Sequence, residues 1–80
     1  MTNTTQHPDA WRGEVRSETR GNIEARVDPN CEGRQWFVDV DHRDPHTGVY
    51  TLLMAHRPTR DEAIALAGQF IERIKREIGT

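Results

Sequence analysis

The chain has 80 residues, of which 34% are hydrophobic and 30% charged, and its formal net charge is -2. This length holds one small domain with a thin core, and the near balance of 13 acidic and 11 basic residues excludes a polyanion-binding composition and an acidic tail. One cysteine, Cys31, cannot form an internal disulfide, and the sequence contains neither a signal-peptide pattern nor a long apolar run. We therefore expect a cytoplasmic protein without membrane association, and either marginal stability or oligomerisation.

The polar residues 1–10 predict a disordered leader, and residues 11–80 a single domain. From Trp11 to Val27, small and apolar residues occupy odd positions with charges between them. This alternation predicts strands near 12–18 and 22–28. A three-residue loop at 20–22 would join them as a hairpin, with residue 15 opposite residue 27. One long strand bent at Gly21 is the alternative, and we favour the hairpin.

Two further strands are predicted near 35–42 and 49–56. The turn-forming segment 28–33 ends the second strand, and the segment 44–48 separates the third from the fourth. Pro45 suits the first central position of a type I turn and Gly48 a left-handed residue that closes a four-residue loop. This loop fixes the register, so that Val40 lies opposite Leu53.

The segment from Thr59 to Glu62 is a capping box that follows Pro58, and it predicts a helix near 59–78 that ends at Gly79. The fold class is therefore α+β, a three- to four-stranded antiparallel meander with one C-terminal helix packed on one face. The apolar stripe of the helix is Ala63, Ala67, Phe70, Ile71, Ile74 and Ile78. The predicted core is Trp36, Val38, Val40, Leu53, Phe70, Ile71 and Ile74.

Four residues with metal-binding side chains lie in or beside two predicted loops: Cys31, His42, Asp44 and His46. The meander places the two loops at opposite ends of the third strand, and Pro45 prevents the helix that would bring the two histidines onto one face. A zinc site needs about four convergent ligands. We therefore expect no metal site and no cofactor.

Nucleophilic catalysis would require Ser17 or Cys31 beside an oriented histidine in a concave site. A domain with one sheet and one helix offers little concavity, and neither residue lies in a strand-to-helix turn. We therefore expect that the protein is not an enzyme.

The outer face of the predicted sheet, on the side away from the helix, combines two aspartates with a set of apolar residues: Phe37, Tyr50, Leu52 and Met54. Exposed apolar patches on small proteins usually mark interfaces. The sequence therefore predicts a non-catalytic protein that binds protein through this face, with a homodimer favoured. Coverage of part of the face by the leader or a strand is the alternative.

The layout from Gln35 to Gly79, with a helix opening on Thr59-Arg60-Asp61-Glu62-Ala63, resembles the half-domain of HicB-type antitoxins. It also resembles the three-strand-plus-helix DNA-binding domains of phage integrases and plant transcription factors. The resemblance implies the alternative function of a nucleic-acid-binding domain or antitoxin-like transcriptional regulator. In the DNA-binding families the sheet face carries basic and aromatic residues, whereas Asp39 and Asp41 lie on this face and would repel phosphates. A partial basic stripe of Arg12, Arg16, Arg26 and Arg43 is interleaved with Glu14, Glu18 and Glu24.

Overall fold

Four β-strands and one α-helix form within residues 9–30 and 34–78, the part of the chain that the computed structural model describes. The strands make one antiparallel sheet in chain order, and the helix follows them and packs against one face. The α+β meander predicted from the sequence is therefore confirmed. The elements are β1 (Trp11–Val15), β2 (Ile23–Pro29), β3 (Trp36–Arg43), β4 (Tyr50–Arg57) and α1 (Arg60–Glu77).

The β3–β4 hairpin has the predicted register, with Val40 opposite Leu53. The ladder extends to the loop, where the Asp44 N–H donates a hydrogen bond to the Val49 carbonyl at 2.9 Å. Gly48 adopts a φ of 77°, the left-handed conformation that glycine adopts without a steric penalty. The turn chemistry was therefore sufficient to fix which residues face each other.

The β1–β2 hairpin forms, but its predicted register is wrong. Val15 lies opposite Ile23 instead of residue 27, and residues 16–22 form the connection where a three-residue loop was predicted. Side chains hold this longer connection together, because Ser17 Oγ accepts from the Arg20 N–H at 3.0 Å and Asn22 Oδ1 accepts from the Ser17 N–H at 3.2 Å. The shift is an even number of residues, so the same side chains still face the helix.

The core lies between the inner sheet face and α1, which packs mainly against β3 and β2 and less against β4. The predicted core residues Val38, Val40, Ile71 and Ile74 are buried, while Trp36, Leu53 and Phe70 are half-buried at its edge. The prediction omitted Leu66, which is also buried. The complete buried apolar set is Ile23, Ala25, Val27, Val38, Val40, Ala63, Leu66, Ala67, Ile71 and Ile74.

The predicted capping box begins α1. The Thr59 hydroxyl accepts from the Glu62 N–H at 3.2 Å and itself lies 2.9 Å from a Glu62 carboxylate oxygen. Ile78 is the C-cap residue after Glu77, its N–H donates to the Ile74 carbonyl at 3.0 Å, and the predicted stop at Gly79 lies outside the described residues. The capping box was therefore a reliable boundary signal.

Two predicted segments fall partly outside the described residues. Of the turn at 28–33, residues 31–33 are outside, and β2 extends through Pro29, so the strand ends later than predicted. Of the leader at 1–10, residues 1–8 are outside. The carbonyl of Asp9 accepts a hydrogen bond from Arg60 Nε at 2.9 Å, which ties this end of the described chain to the first turn of α1.

Candidate functional site

The structure places the four predicted interface residues together on the outer sheet face. We call Phe37, Tyr50, Leu52 and Met54 the apolar patch. Tyr50, Leu52 and Met54 occupy alternate positions along β4, and Phe37 lies on β3 opposite His56. Their exposed fractions range from 44% for Leu52 to 69% for Met54. Val49, which the sequence analysis did not include, is exposed beside Tyr50 and extends the patch toward the β3–β4 loop.

Ring contacts orient the two aromatic members of the apolar patch. The Phe37 and His56 rings meet edge to face with centroids 6.4 Å apart. The Arg43 guanidinium lies 5.0 Å from the centre of the Tyr50 ring, within range of a cation–π interaction. These contacts leave both aromatic residues about half exposed, so the rings are positioned but still accessible to a partner.

The other half of the outer face is ionic and centred on Arg26. Arg26 lies 2.7 Å from Asp39, 2.5 Å from Asp41 and 3.6 Å from Glu24. The Asp41 hydrogen bond is the largest cause of the raised pKa of Arg26. Asp39 Oδ1 forms the 2.7 Å ion pair with Arg26 Nε, although the angle of this contact does not suit a hydrogen bond. The Arg26 guanidinium therefore pairs with carboxylates of its own sheet.

The predicted basic stripe does not form a continuous cationic surface. Arg26 is surrounded by carboxylates, Arg43 stacks on Tyr50, and Arg16 lies in the β1–β2 connection, 3.4 Å from Glu14. Each of these arginines has a partner within the chain. The outer face therefore consists of an internally paired ionic half, which spans β1, β2 and the two aspartates of β3, and the apolar patch on β3 and β4.

A buried polar cluster lies at the opposite side of the sheet, where the two hairpin loops meet the end of α1. His42 and Asp44 are only 2% and 3% exposed. Arg20 donates from Nε and Nη2 to Asp44 at 2.9 and 2.7 Å and from Nη1 to the Ile78 carbonyl at 3.0 Å. His42 Nε2 lies 2.6 Å from the Arg20 carbonyl. One arginine thus links the β3–β4 loop to the C-terminus of the helix.

Asp44 supplies the carboxylate of this cluster. Its pKa is lowered from 3.8 to about 2, chiefly by the hydrogen bonds from Arg20 and also by the backbone N–H groups of His46 and Thr47. A carboxylate that accepts several hydrogen bonds stays ionised even when buried. Asp44 lies in the β3–β4 loop, as predicted, and His42 lies near the end of β3, but the burial of both side chains was not predicted. The alternation Trp36, Val38, Val40, His42 already placed His42 on the core face.

Two of the shallow depressions in the surface are lined by charged side chains. One of about 240 Å³ lies beside Arg20, His42 and Asp44, and one of about 270 Å³ lies over β1 and β2. Beside the first depression, the Asp44 oxygens and the Arg20 donors form hydrogen bonds with each other and with backbone groups. No group of three or more His, Cys, Asp or Glu side chains in residues 9–30 and 34–78 is arranged to hold a metal ion.

Comparison of the chain with protein-family models, with curated proteins and with solved structures finds no match. The resemblance stated for Gln35 to Gly79 therefore stays a prediction. Within the described residues, α1 is not apolar enough to cross a membrane.

Proposed function

We propose that the protein is a small, non-catalytic cytoplasmic module that binds protein, and that it self-associates through the apolar patch of its outer sheet face. The observation that supports this is the exposure of four large apolar side chains together on the face opposite the helix. Covering apolar surface contributes about 25 cal/mol per Å². A domain with a thin core gains stability from a partner that covers such a patch.

The composition of the patch favours a protein partner. Protein interfaces are enriched in aromatic residues and methionine at their centres and are bordered by polar residues. Phe37, Tyr50 and Met54 fit this centre, and the ionic residues around Arg26 fit the border. The nucleic-acid alternative receives less support, because the Arg26 guanidinium is already paired with Asp39 and Asp41, whose negative charge on this face would repel phosphates.

The test compares Leu52→Arg with Gln69→Arg by sedimentation equilibrium at tens of micromolar protein. Leu52 lies opposite Asp41, so an arginine there gains an oppositely charged cross-strand neighbour and keeps the hairpin stable. Gln69 is exposed on α1 and receives the same charge away from the patch. We expect the parent chain and Gln69→Arg to be dimers and Leu52→Arg to be a monomer.

Two results would overturn parts of the proposal. A strictly monomeric parent chain would exclude self-association at these concentrations, and equal dimerisation of Leu52→Arg and Gln69→Arg would exclude the apolar patch as the contact. A titration with duplex DNA at low and high salt addresses the alternative function. A nucleic-acid-binding domain would show strong salt-dependent binding, whereas we expect none.

A further inference from the structure

The two edges of the sheet differ in how they are protected against pairing with another strand. β1 is five residues long and carries Arg12, Gly13 and Glu14 at its centre. β4 is eight residues long and has no charged residue, proline or glycine from Tyr50 to Ala55. Natural sheets protect their edges with charges, short strands or bulges. By this criterion, and within residues 9–30 and 34–78, β1 is a protected edge and β4 is an unprotected one.

The hydrogen-bond phase of the sheet identifies the backbone groups that β4 presents at its edge. Opposed residues in an antiparallel ladder alternate between hydrogen-bonded and non-hydrogen-bonded pairs. The bond from Asp44 N–H to Val49 C=O, at 2.9 Å, fixes this phase, so the odd-numbered residues of β4 bond to β3. The even-numbered residues direct their N–H and C=O groups outward, and they are Tyr50, Leu52, Met54 and His56.

The neighbouring ladder confirms this phase independently. Asn30 N–H donates to the Gln35 carbonyl at 2.9 Å, so odd-numbered residues of β3 bond to β2 and even-numbered ones to β4. Three of the four outward-directed backbone positions on β4 therefore belong to members of the apolar patch. A strand added at this edge would satisfy these groups and extend the patch at the same time.

We infer that the occupant of this edge is β4 of a second copy, paired antiparallel with Leu53 on the twofold axis. This inference rests on the self-association proposed above, and it places a contact at the backbone edge of β4, beside the apolar patch. With Leu53 opposite Leu53 of the second copy, Leu52 lies opposite Met54 and Tyr50 opposite His56. All four outward-directed residues then exchange hydrogen bonds, whereas a shift of two residues in either direction removes some of these pairs. The two sheets become one, and the two apolar patches form a continuous surface.

Charge also favours a second copy in this orientation. The charged end of β4, Arg57, falls opposite the uncharged Val49 of the other copy, and no like charges face each other. A parallel arrangement would place Arg57 beside its own equivalent, which is unfavourable. The inner face of β4 is also compatible with this pairing, since Leu53 and Ala55 are only half-buried beneath α1. The added strand would cover these two side chains further.

One edge group already has an intramolecular partner. The His56 carbonyl accepts a hydrogen bond from the Arg57 guanidinium at 2.7 Å. A carbonyl oxygen has two lone pairs, so it can accept the Tyr50 N–H of the second copy as well. This contact lies at the end of the strand and leaves the Leu52 and Met54 groups, which form the centre of the pairing, unaffected.

Hydrogen exchange of the full chain, read amide by amide by NMR, provides the first test. Exchange is carried out at high and at low protein concentration. We expect the amides of Tyr50, Leu52, Met54 and His56 to exchange more slowly at high concentration, because pairing places them in hydrogen bonds. Contact through the outer face alone covers side chains and leaves these amides at the monomer rate.

The second test compares Met54→Pro with Met54→Ala in the same sedimentation experiment. Both variants lose the methionine side chain, but only proline loses the outward N–H, and no bond to β3 is lost with it. We expect proline to weaken dimerisation about thirtyfold more than alanine, since the twofold axis doubles the loss of one hydrogen bond. Circular dichroism confirms that both variants fold.

The outcomes separate this inference from the proposed function. Concentration-dependent protection of the four amides supports edge pairing, and it does so even if Met54→Pro fails to fold. A dimer with unprotected edge amides would overturn the β4 pairing and leave association through the outer face standing. A parent chain that stays monomeric at every concentration would overturn both, and would leave a different protein as the occupant of the edge.

Discussion

Replacing Gly21 with alanine should destabilise the domain far more than the same change at Gly48. Both glycines have positive φ, 85° at Gly21 and 77° at Gly48, so alanine meets the same backbone penalty at each. Their surroundings differ. A Cβ at Gly21 would overlap the Arg43 carbonyl oxygen and lie 2.8 Å from Pro45 Cδ, whereas a Cβ at Gly48 would have no neighbour within 4 Å.

The expected loss of stability follows from the backbone penalty and from the space available to the added Cβ. Left-handed backbone costs an alanine roughly 1–2 kcal/mol, which is the full expected effect of Gly48→Ala. At Gly21 the loop must also move away from β3, which adds the roughly 1–3 kcal/mol typical of overpacking. That movement also strains the contact between the Arg20 carbonyl and His42. The total of about 2–5 kcal/mol is a large part of the roughly 4–12 kcal/mol that a domain of this size possesses.

Urea denaturation of the parent and both variants, at one fixed low protein concentration, measures the difference directly. A fixed concentration is necessary because self-association shifts the apparent stability. Unchanged m-values would confirm that the effect is on stability and not on the unfolded chain. If Gly21→Ala were no less stable than Gly48→Ala, the close packing of the β1–β2 connection against Arg43 and Pro45 would be refuted.

Three further predictions concern other parts of the fold. The pKa of Asp44 is lowered from 3.8 to about 2, so the ionised carboxylate contributes its full stabilisation of the folded state above pH 3.8. This contribution is lost as the pH falls toward 2. Asp44→Asn should therefore remove that part of the pH dependence of the urea midpoint. Thr59→Ala should cost about 1 kcal/mol by loss of the cap and leave dimerisation of the folded protein unchanged, so a stable variant that no longer dimerises would contradict a structural role. Ile71→Ala should cost about 2–5 kcal/mol, and an unshifted melt would count against this core.

The parts of the fold that local sequence determines were predictable. The β3–β4 register follows from one turn, because Pro45 and Gly48 fix the loop length and every opposed pair follows from it. The start of α1 follows from Thr59 and Glu62, whose side chains act within four residues of each other. In each case the sequence pattern and the structure that it predicts lie in the same short segment, so tertiary contacts do not alter the local structure.

The parts that long-range contacts determine were not predictable. Within the seven-residue β1–β2 connection, Arg20 bonds to Asp44 and to the Ile78 carbonyl, and no local pattern indicates a partner 58 residues away. The burial of Asp44 depends on the same arginine. The position of the apolar patch was predictable from alternation in β3 and β4, whereas the pairing of Arg26 with Asp39 and Asp41 also required the β2–β3 register.

The difference between the two sheet edges sets the size of the proposed assembly. Pairing of β4 with its own equivalent is isologous, so each copy uses its one unprotected edge in the contact. The joined sheet, within the part of the chain described by the structure, then ends on both sides in β1, where Arg12 and Glu14 oppose further addition. Pairing of β4 with β1 of another copy would repeat without limit and form fibres. Protection at β1 opposes such growth, so a dimer closed through β4 is the assembly that the proposed pairing predicts.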